Sequence, residues 1–496
     1  MRYGSKSLGL LSGCFLVPFF VGASFAAAPG APPLIVAAEQ GDQVAVILLL
    51  NDDVDPNITT GDGSTALFWA AHNNNIEIAR ALLANGADVD HVNSFGTTPL
   101  YEAALNADGQ LIELLLEAGA NPNATLLSGE TPLMGATDRG RLEAVSTLLT
   151  GGADPNIRES KFGQTALMWA AVEKYSAITK LLVDNGANVS TRTNSDFSVL
   201  MFAAQQGDVE SGRALLEAGA DANELLTDGN VTPLLIAAAG RHEGFAGLLL
   251  EHGADPNVLD SNGHSPLHHA AWIRESAGIV ELLLDHGADP NVRLVETGPE
   301  ERQVDVDLRQ ATYTDTGLSM NGATPFLMAS EVKSLRAMRA LLDAGADPTI
   351  TTVLGTDALL LSAGGGTDFA RPRTAQERED AIEAVKMLVD IGFDVNGTGE
   401  FEWTPVHAAS FQGLDSVIEY LVDSGADLNM MDQYGQTPLS IAYGIITVEA
   451  ERAYEQSPKS YRGDTAELLV AMGALSIEQS GVNVFTFKSV DSTAGN

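Results

Sequence analysis

The chain alternates between two short apolar stripes, each with helical spacing. The first has the form Leu-x-x-Ala-Ala, as in Leu67 to Ala71 and Leu100 to Ala104. The second runs from Ile or Val to a Leu-Leu pair, as in Ile78 to Leu83 and Val145 to Leu149. Apolar residues three and four apart line one face of a helix, so each stripe predicts a short helix with that face buried. Small alanines let neighbouring helices approach closely. Each second stripe is followed by Gly-Ala-Asp or a near variant, as in Gly86-Ala87-Asp88, Gly119-Ala120-Asn121, Gly152-Ala153-Asp154 and Gly253-Ala254-Asp255. From Gly86 to Gly287 that glycine recurs at intervals of 33, 33, 34, 33, 34 and 34 residues. A fixed period of this size means a solenoid, in which each unit buries its apolar face only against its neighbours. It overrules the several globular domains that 496 residues would otherwise suggest.

Local chemistry sets the ends of the helices. Thr65-Ala66-Leu67, Thr98-Pro99-Leu100, Thr131-Pro132-Leu133, Thr232-Pro233-Leu234, Ser265-Pro266-Leu267-His268 and Thr437-Pro438-Leu439 open the first helices. The hydroxyl caps free backbone N–H groups, and proline fits the first turn, where no N–H is needed. The glycine of Gly-Ala ends the second helix by adopting a left-handed conformation. Asp-x-Asn and a later glycine, such as Gly63, Gly96, Gly263 or Gly435, build the turn that follows. Together the two signatures resemble the ankyrin repeat, over roughly residues 31 to 474. The resemblance implies a mostly α fold: an ankyrin-repeat solenoid of about 12 helix-turn-helix units with short β-hairpin fingers. It also implies a non-enzymatic protein–protein interaction scaffold.

Residues 1–26 read as a secretory signal peptide. Arg2 and Lys6 precede an apolar run from Leu8 to Ala23, and Ser24-Phe25-Ala26 forms a small-x-small cleavage site. The expectation is a bacterial periplasmic or secreted protein. Leu11-Ser12-Gly13-Cys14 also resembles a lipobox, which would instead make Cys14 a lipid anchor. Cys14 is the only cysteine, so a chain cleaved after Ala26 would hold no disulfide. Residues 27–59 read as a degenerate N-terminal capping repeat, with Asp53-Val54-Asp55-Pro56-Asn57 replacing the Gly-Ala-Asp loop. Regular repeats fill 60–294. An acidic finger insertion occupies 295–319. Repeats resume over 320–474, with insertions between helices near 364–375 and 445–463. The tail, 475–496, includes a strand-like alternation from Val482 to Phe487.

The 66 acidic residues against 27 basic ones give a net charge of −39. That disfavours nucleic acid and anionic membranes as partners and allows a basic protein surface. The chain has no Gly-x-Ser-x-Gly, no His-Glu-x-x-His and no phosphate loop ending in Lys-Ser/Thr, so no enzyme activity or cofactor is expected. The alternative is an enzyme with its site in the insertions, which offer carboxylates but neither histidine nor cysteine. His264, His268 and His269 are close in sequence, with His242, His252 and His286 in neighbouring repeats. The resemblance gives His268 and His407 a role in bonding adjacent repeats. His252 and His286 stand at helix C-termini, where a cation is favoured. All are read as structural, and no metal is expected. Trp69, Trp169, Phe202 and Ile236 stand before Ala-Ala and read as core, a pattern that Glu102 breaks.

In ankyrin repeats the partner usually meets the finger tips and the exposed end of the first helix, on the concave face. Carried onto this chain, that places Phe95 and Phe162 at earlier fingers, Leu354 at a later one, and Trp272 at the exposed end of a first helix, after Ala270-Ala271. Phe401, Trp403, Phe411 and Tyr434 come from two adjacent repeats and are expected to form one exposed aromatic patch. The partner is expected to be a protein or peptide, and the chain a monomer.

Overall fold

The computed structural model describes residues 30–106, 109–226, 229–294, 320–364, 374–444 and 462–481. The leader, the lipobox, the 295–319 insertion, most of the other two insertions and the tail beyond Gly481 lie outside them. The described residues form two compact units, one of residues 1–228 and 232–254, the other of 229–231 and 255–496.

The first unit holds seven helix pairs. They are Pro33–Glu39 with Gln43–Asn51, Ala66–His72 with Ile76–Ala84, Pro99–Asn106 with Gly109–Glu117, and Pro132–Asp138 with Leu142–Thr150. Ala166–Val172 with Ser176–Asp184, Val199–Gln206 with Val209–Glu217, and Pro233–Ala239 with Glu243–Glu251 complete it. The second unit holds five more: Pro266–Ala271 with Ala277–Asp285, Pro325–Glu331 with Leu335–Asp343, Ala358–Ala363 with Ala375–Asp390, Pro405–Gln412 with Asp415–Asp423, and Pro438–Ala442 with Gly463–Ala471. Within each unit, first helices pack on first helices of the adjoining repeat, and second helices on second helices. Leu67, Ile78, Leu82, Leu100, Leu111, Ile112 and Leu115 are fully buried between them. Each such side chain contributes about 1.5–3 kcal/mol by leaving water.

The caps form as the sequence predicts. Thr65 Oγ1 accepts from Phe68 N–H at 3.2 Å and Thr131 Oγ1 from Met134 N–H at 3.2 Å. Gly86 closes its helix at φ +86°. In the first repeat Asp53 takes that place at φ +57°, a conformation that a non-glycine residue adopts at a cost. The fingers are turns. Among the described residues they show isolated bridges, such as Arg192 with Ser198, in place of the expected hairpin strands. Their residues are spent on side-chain-to-backbone bonds, and these compete with a strand ladder.

Successive repeats are also tied by asparagine. Asn123 Nδ2 donates to Gly152 O at 3.3 Å, and its Oδ1 accepts from Asp154 N–H at 2.8 Å. Asn57, Asn156, Asn257 and Asn396 make the same pair of bonds to the repeat that follows each. Asn291 makes them to Gly345 and Asp347, so the clamp closes across the residues 295–319 that lie between. The repeat with the 364–375 insertion differs in another way. Its second helix runs 16 residues from a Thr374–Glu377 capping box, against nine in its neighbours. Part of the excess is therefore added helix, and Asp380 on it pairs with Arg274.

Replacing Asn123 by alanine removes both bonds to the next repeat. Each is worth about 0.5–1.5 kcal/mol net, so the variant should lose about 1–3 kcal/mol in urea unfolding. A change within about 0.5 kcal/mol, the range of ordinary surface substitutions, would contradict the clamp.

Candidate functional site

A polar side chain closes several of the finger turns and fixes what stands at the tip. In the Leu127 finger, where apolar Leu126 takes that place, backbone bonds from Leu126 N–H to Glu130 O and from Gly129 N–H to Leu126 O close the turn. Asn93 Oδ1 accepts from the N–H groups of Phe95 and Thr97, both at 3.0 Å. Asp432 Oδ1 accepts from Tyr434 and Gln436 at 2.9 and 2.8 Å. In the first unit the tips expose apolar side chains: Phe95 is 52% exposed, Val92 55% and Leu127 81%. Phe95 and Leu127 belong to successive fingers in contact. A methyl group on the left-handed Gly96 would lie 3.1 Å from Leu127 N. Phe162 is half-buried, with the Lys161 ammonium 4.6 Å from its ring centre. In the second unit Leu354 and Val353 are about half exposed.

The expected C-terminal aromatic patch is not an open surface. Trp403 is only 3% exposed, and its indole N–H donates to Asp432 Oδ2 at 3.1 Å. Phe411 is half-buried, its ring 5.5 Å from that of Trp403. Phe401 and Tyr434, also half-buried, lie 6.1 Å apart. Asp432 uses one carboxylate oxygen to close its own finger, and the other draws the Trp403 indole inward from the preceding finger. Trp272 is half-buried as well, and stacks on His264 with ring centres 6.4 Å apart.

Trp69, Trp169, Phe202 and Ile236 are buried, as the periodicity predicts. Glu102, which breaks that pattern, lies 3.0 Å from His72 Nδ1 of the preceding repeat. The bond to Glu102 raises the His72 pKa above the ordinary imidazole value. Beside it Tyr101 donates to Glu130 at 3.1 Å, and burial pushes the Glu130 carboxyl up. An acid in an apolar place is thus kept by a partner across the repeat boundary.

Six of the nine histidines fall into three pairs. His268 and His407 are fully buried. Each completes a capping box, with Ser265 and Thr404 respectively, and its Nε2 reaches a carbonyl of the next repeat, Ala323 O at 3.3 Å or Gln436 O at 3.1 Å. His252 and His286 bond through Nδ1 to the carbonyls of Leu248 and Leu282, four residues back, and so finish their helices. His264 and His269 have no such task. They converge on Asp260, at 3.4 and 3.5 Å. The spacing does not show that these two meet Asp260, and it passes over Leu127, Val92 and Val353. For the tips the available signal was their place two to four residues before a turn glycine.

The family model for ankyrin repeats (3 copies) matches residues 34–126, 108–193, 200–293 and 374–448, more than half of the chain. The chain is a member of the ankyrin-repeat family. The ankyrin repeat protein YahD of Escherichia coli is 29% identical over 206 residues, covering 35% of this chain and 93% of that protein. The mimivirus ankyrin repeat protein L271 is 32% identical over 85 residues, 17% of this chain and 12% of its own length. Mouse protein phosphatase 1 regulatory subunit 12A is 37% identical over 60 residues, 12% of this chain and 6% of its own. The chain thus spans less than a sixth of the first curated relatives it matches. The crystal structure of the human ASB11 ankyrin repeat domain aligns with a TM-score of 0.39 and 28% identity, over 45% of this chain and 99% of that one.

Burial lowers the His407 pKa from 6.5 to about 4. The unfolded chain therefore takes up a proton first as pH falls. The stabilisation is complete above pH 6.5 and is lost as pH drops towards 4. Glutamine also serves in a capping box, so His407→Gln should fold. Between pH 7.5 and 5 the wild type should lose about 2 kcal/mol more than this variant in denaturant titrations. Equal losses would contradict the buried neutral imidazole.

Proposed function

We propose that this ankyrin-repeat chain is an exported, non-enzymatic scaffold that holds a protein partner against its finger tips. Adjacent exposure of Phe95 and Leu127 on turns pinned by hydrogen bonds carries the reading. Large apolar groups held rigidly in water are anchors for an interface, because little conformational freedom is lost when they are covered. Val92 extends the same surface. The net charge of −39 favours a partner whose rim is basic around an apolar centre. Four of the similar proteins, from mouse, rat and human, are named as regulatory subunits of protein phosphatase 1, which fits a role in holding another protein. The leader-like first 26 residues support export.

Chain from Ala27 onward, used as bait in a cell-envelope extract, should retain one dominant protein. Phe95→Ser/Leu127→Ser should retain at least about tenfold less while unfolding at the same urea concentration, since both side chains are exposed. Equal retention by the folded variant would remove the fingers from the account. The N-terminal mass of protein isolated from cells should show a free Ala27. Acylated Cys14 would make the chain a lipid-anchored scaffold, and an intact Met1 would rule out export by cleavage.

A further inference from the structure

Asp260, His264 and His269 lie in the opening repeat of the second unit. Asp260 and His264 bracket its finger turn, and His269 is on the helix that follows. Asp260 Oδ1 is held by the N–H groups of Asn262 and His264, both at 2.8 Å. Asp432 closes its finger in the same way, and its Oδ2 then takes the Trp403 indole N–H. At Asp260 the Oδ2 faces His269 Nε2 at 3.5 Å. His264 Nδ1 stands 3.4 Å from Oδ1. That nitrogen is buried and makes no hydrogen bond. One ligand atom from each residue lies within 4.8 Å of the other two, the one such convergence among the described residues.

A buried imidazole nitrogen aimed at a carboxylate without bonding to it is an unsatisfied group, and such groups call for an explanation. A cation at the centre supplies one. Bonds of about 2.0–2.1 Å in tetrahedral arrangement place ligand atoms about 3.3 Å apart. The three ligand atoms here, one from each residue, lie within 4.8 Å of one another and need only a small inward movement to close on an ion. We propose that Asp260, His264 and His269 bind a divalent transition metal of the zinc class, with the fourth coordination position open.

The donors select the metal. Two imidazoles and a carboxylate suit zinc and its first-row neighbours, whereas calcium and magnesium require oxygen throughout. The surroundings act as a support. The two backbone N–H groups orient the carboxylate, and Trp272 stacked on His264 fixes that ring and walls off one side. The His269 side chain keeps 21% of its surface exposed, so a path to water remains. Bound there, the metal ties the finger turn to the first helix of the repeat. Its open position would accept water or a donor side chain.

Other repeats provide the substitutions for a test. Gln164 and Gln436 occupy the place of His264, directly before the capping threonine, and Ile236 occupies that of His269, four residues after the cap. His264→Gln/His269→Ile should therefore fold. Calorimetric titration of the full chain from Ala27 with Zn2+, in excess Mg2+ to occupy surface carboxylates, should show one tight equivalent. The double variant should bind at least a hundredfold more weakly, and His252→Gln should bind as the wild type does. Zinc should also raise the melting temperature of the wild type alone. A wild type without saturable zinc uptake, or a double variant of equal affinity, would overturn the site.

Discussion

The asparagine clamp between repeats is the constraint on which the rest depends. Apolar burial brings two helix pairs together, but it is non-directional and tolerates sliding. An amide that donates to one backbone carbonyl and accepts from a backbone N–H two residues further on does not. Where it forms, it fixes the register of one pair on the next, and with it the order of their fingers. Asn291 shows how strong this logic is: it bonds Gly345 and Asp347 although more than fifty residues separate them in the chain. An insertion between those points is accommodated because the clamp reads spatial neighbours, not sequence distance. Where Ser190 and Thr349 hold the asparagine place, the side chain lacks an amide to make both bonds at once.

The same loop explains part of the acidity. The aspartate of Gly-Ala-Asp accepts from the N–H two residues on, as Asp154 does from Asn156 at 2.9 Å and Asp289 from Asn291 at 2.9 Å. That bond holds the loop so that the following asparagine points across the boundary. The loop requires an acceptor at this place, which the amides of Asn121 and Asn188 also supply, and where the acceptor is aspartate its negative field comes with it. A scaffold built this way presents apolar finger tips in a negative surround, and the two properties together narrow the kind of surface that fits.

Much of this was legible in the residues. Period, caps, buried stripes and the count of helix pairs follow from short-range chemistry, and local chemistry repeats faithfully. The clamp was not legible: Asp-x-Asn reads as a turn, and nothing in its spacing says that its amide reaches the next repeat. The aromatic patch failed for a related reason. Trp403 stands at a finger by sequence, but Asp432, one repeat later, pulls it inside. Glu102 looked like an exception until His72, one repeat earlier, supplied its partner. His264 and His269 are close in sequence, but only the turn at Asp260 brings both against one carboxylate. Each miss involves a side chain whose environment comes from elsewhere in the chain.

The central claim, that pinned finger tips of the first unit are the binding surface, is tested most directly by placement of a photo-crosslinking residue. It would replace Leu127 at a finger tip and, in a second protein, Glu113 on the exposed face of a second helix. Each protein would be irradiated in cell-envelope extract. The account predicts one discrete adduct from position 127 and none from position 113. An adduct from position 113 with none from position 127 would contradict it, and would move the interface from the fingers to the helices.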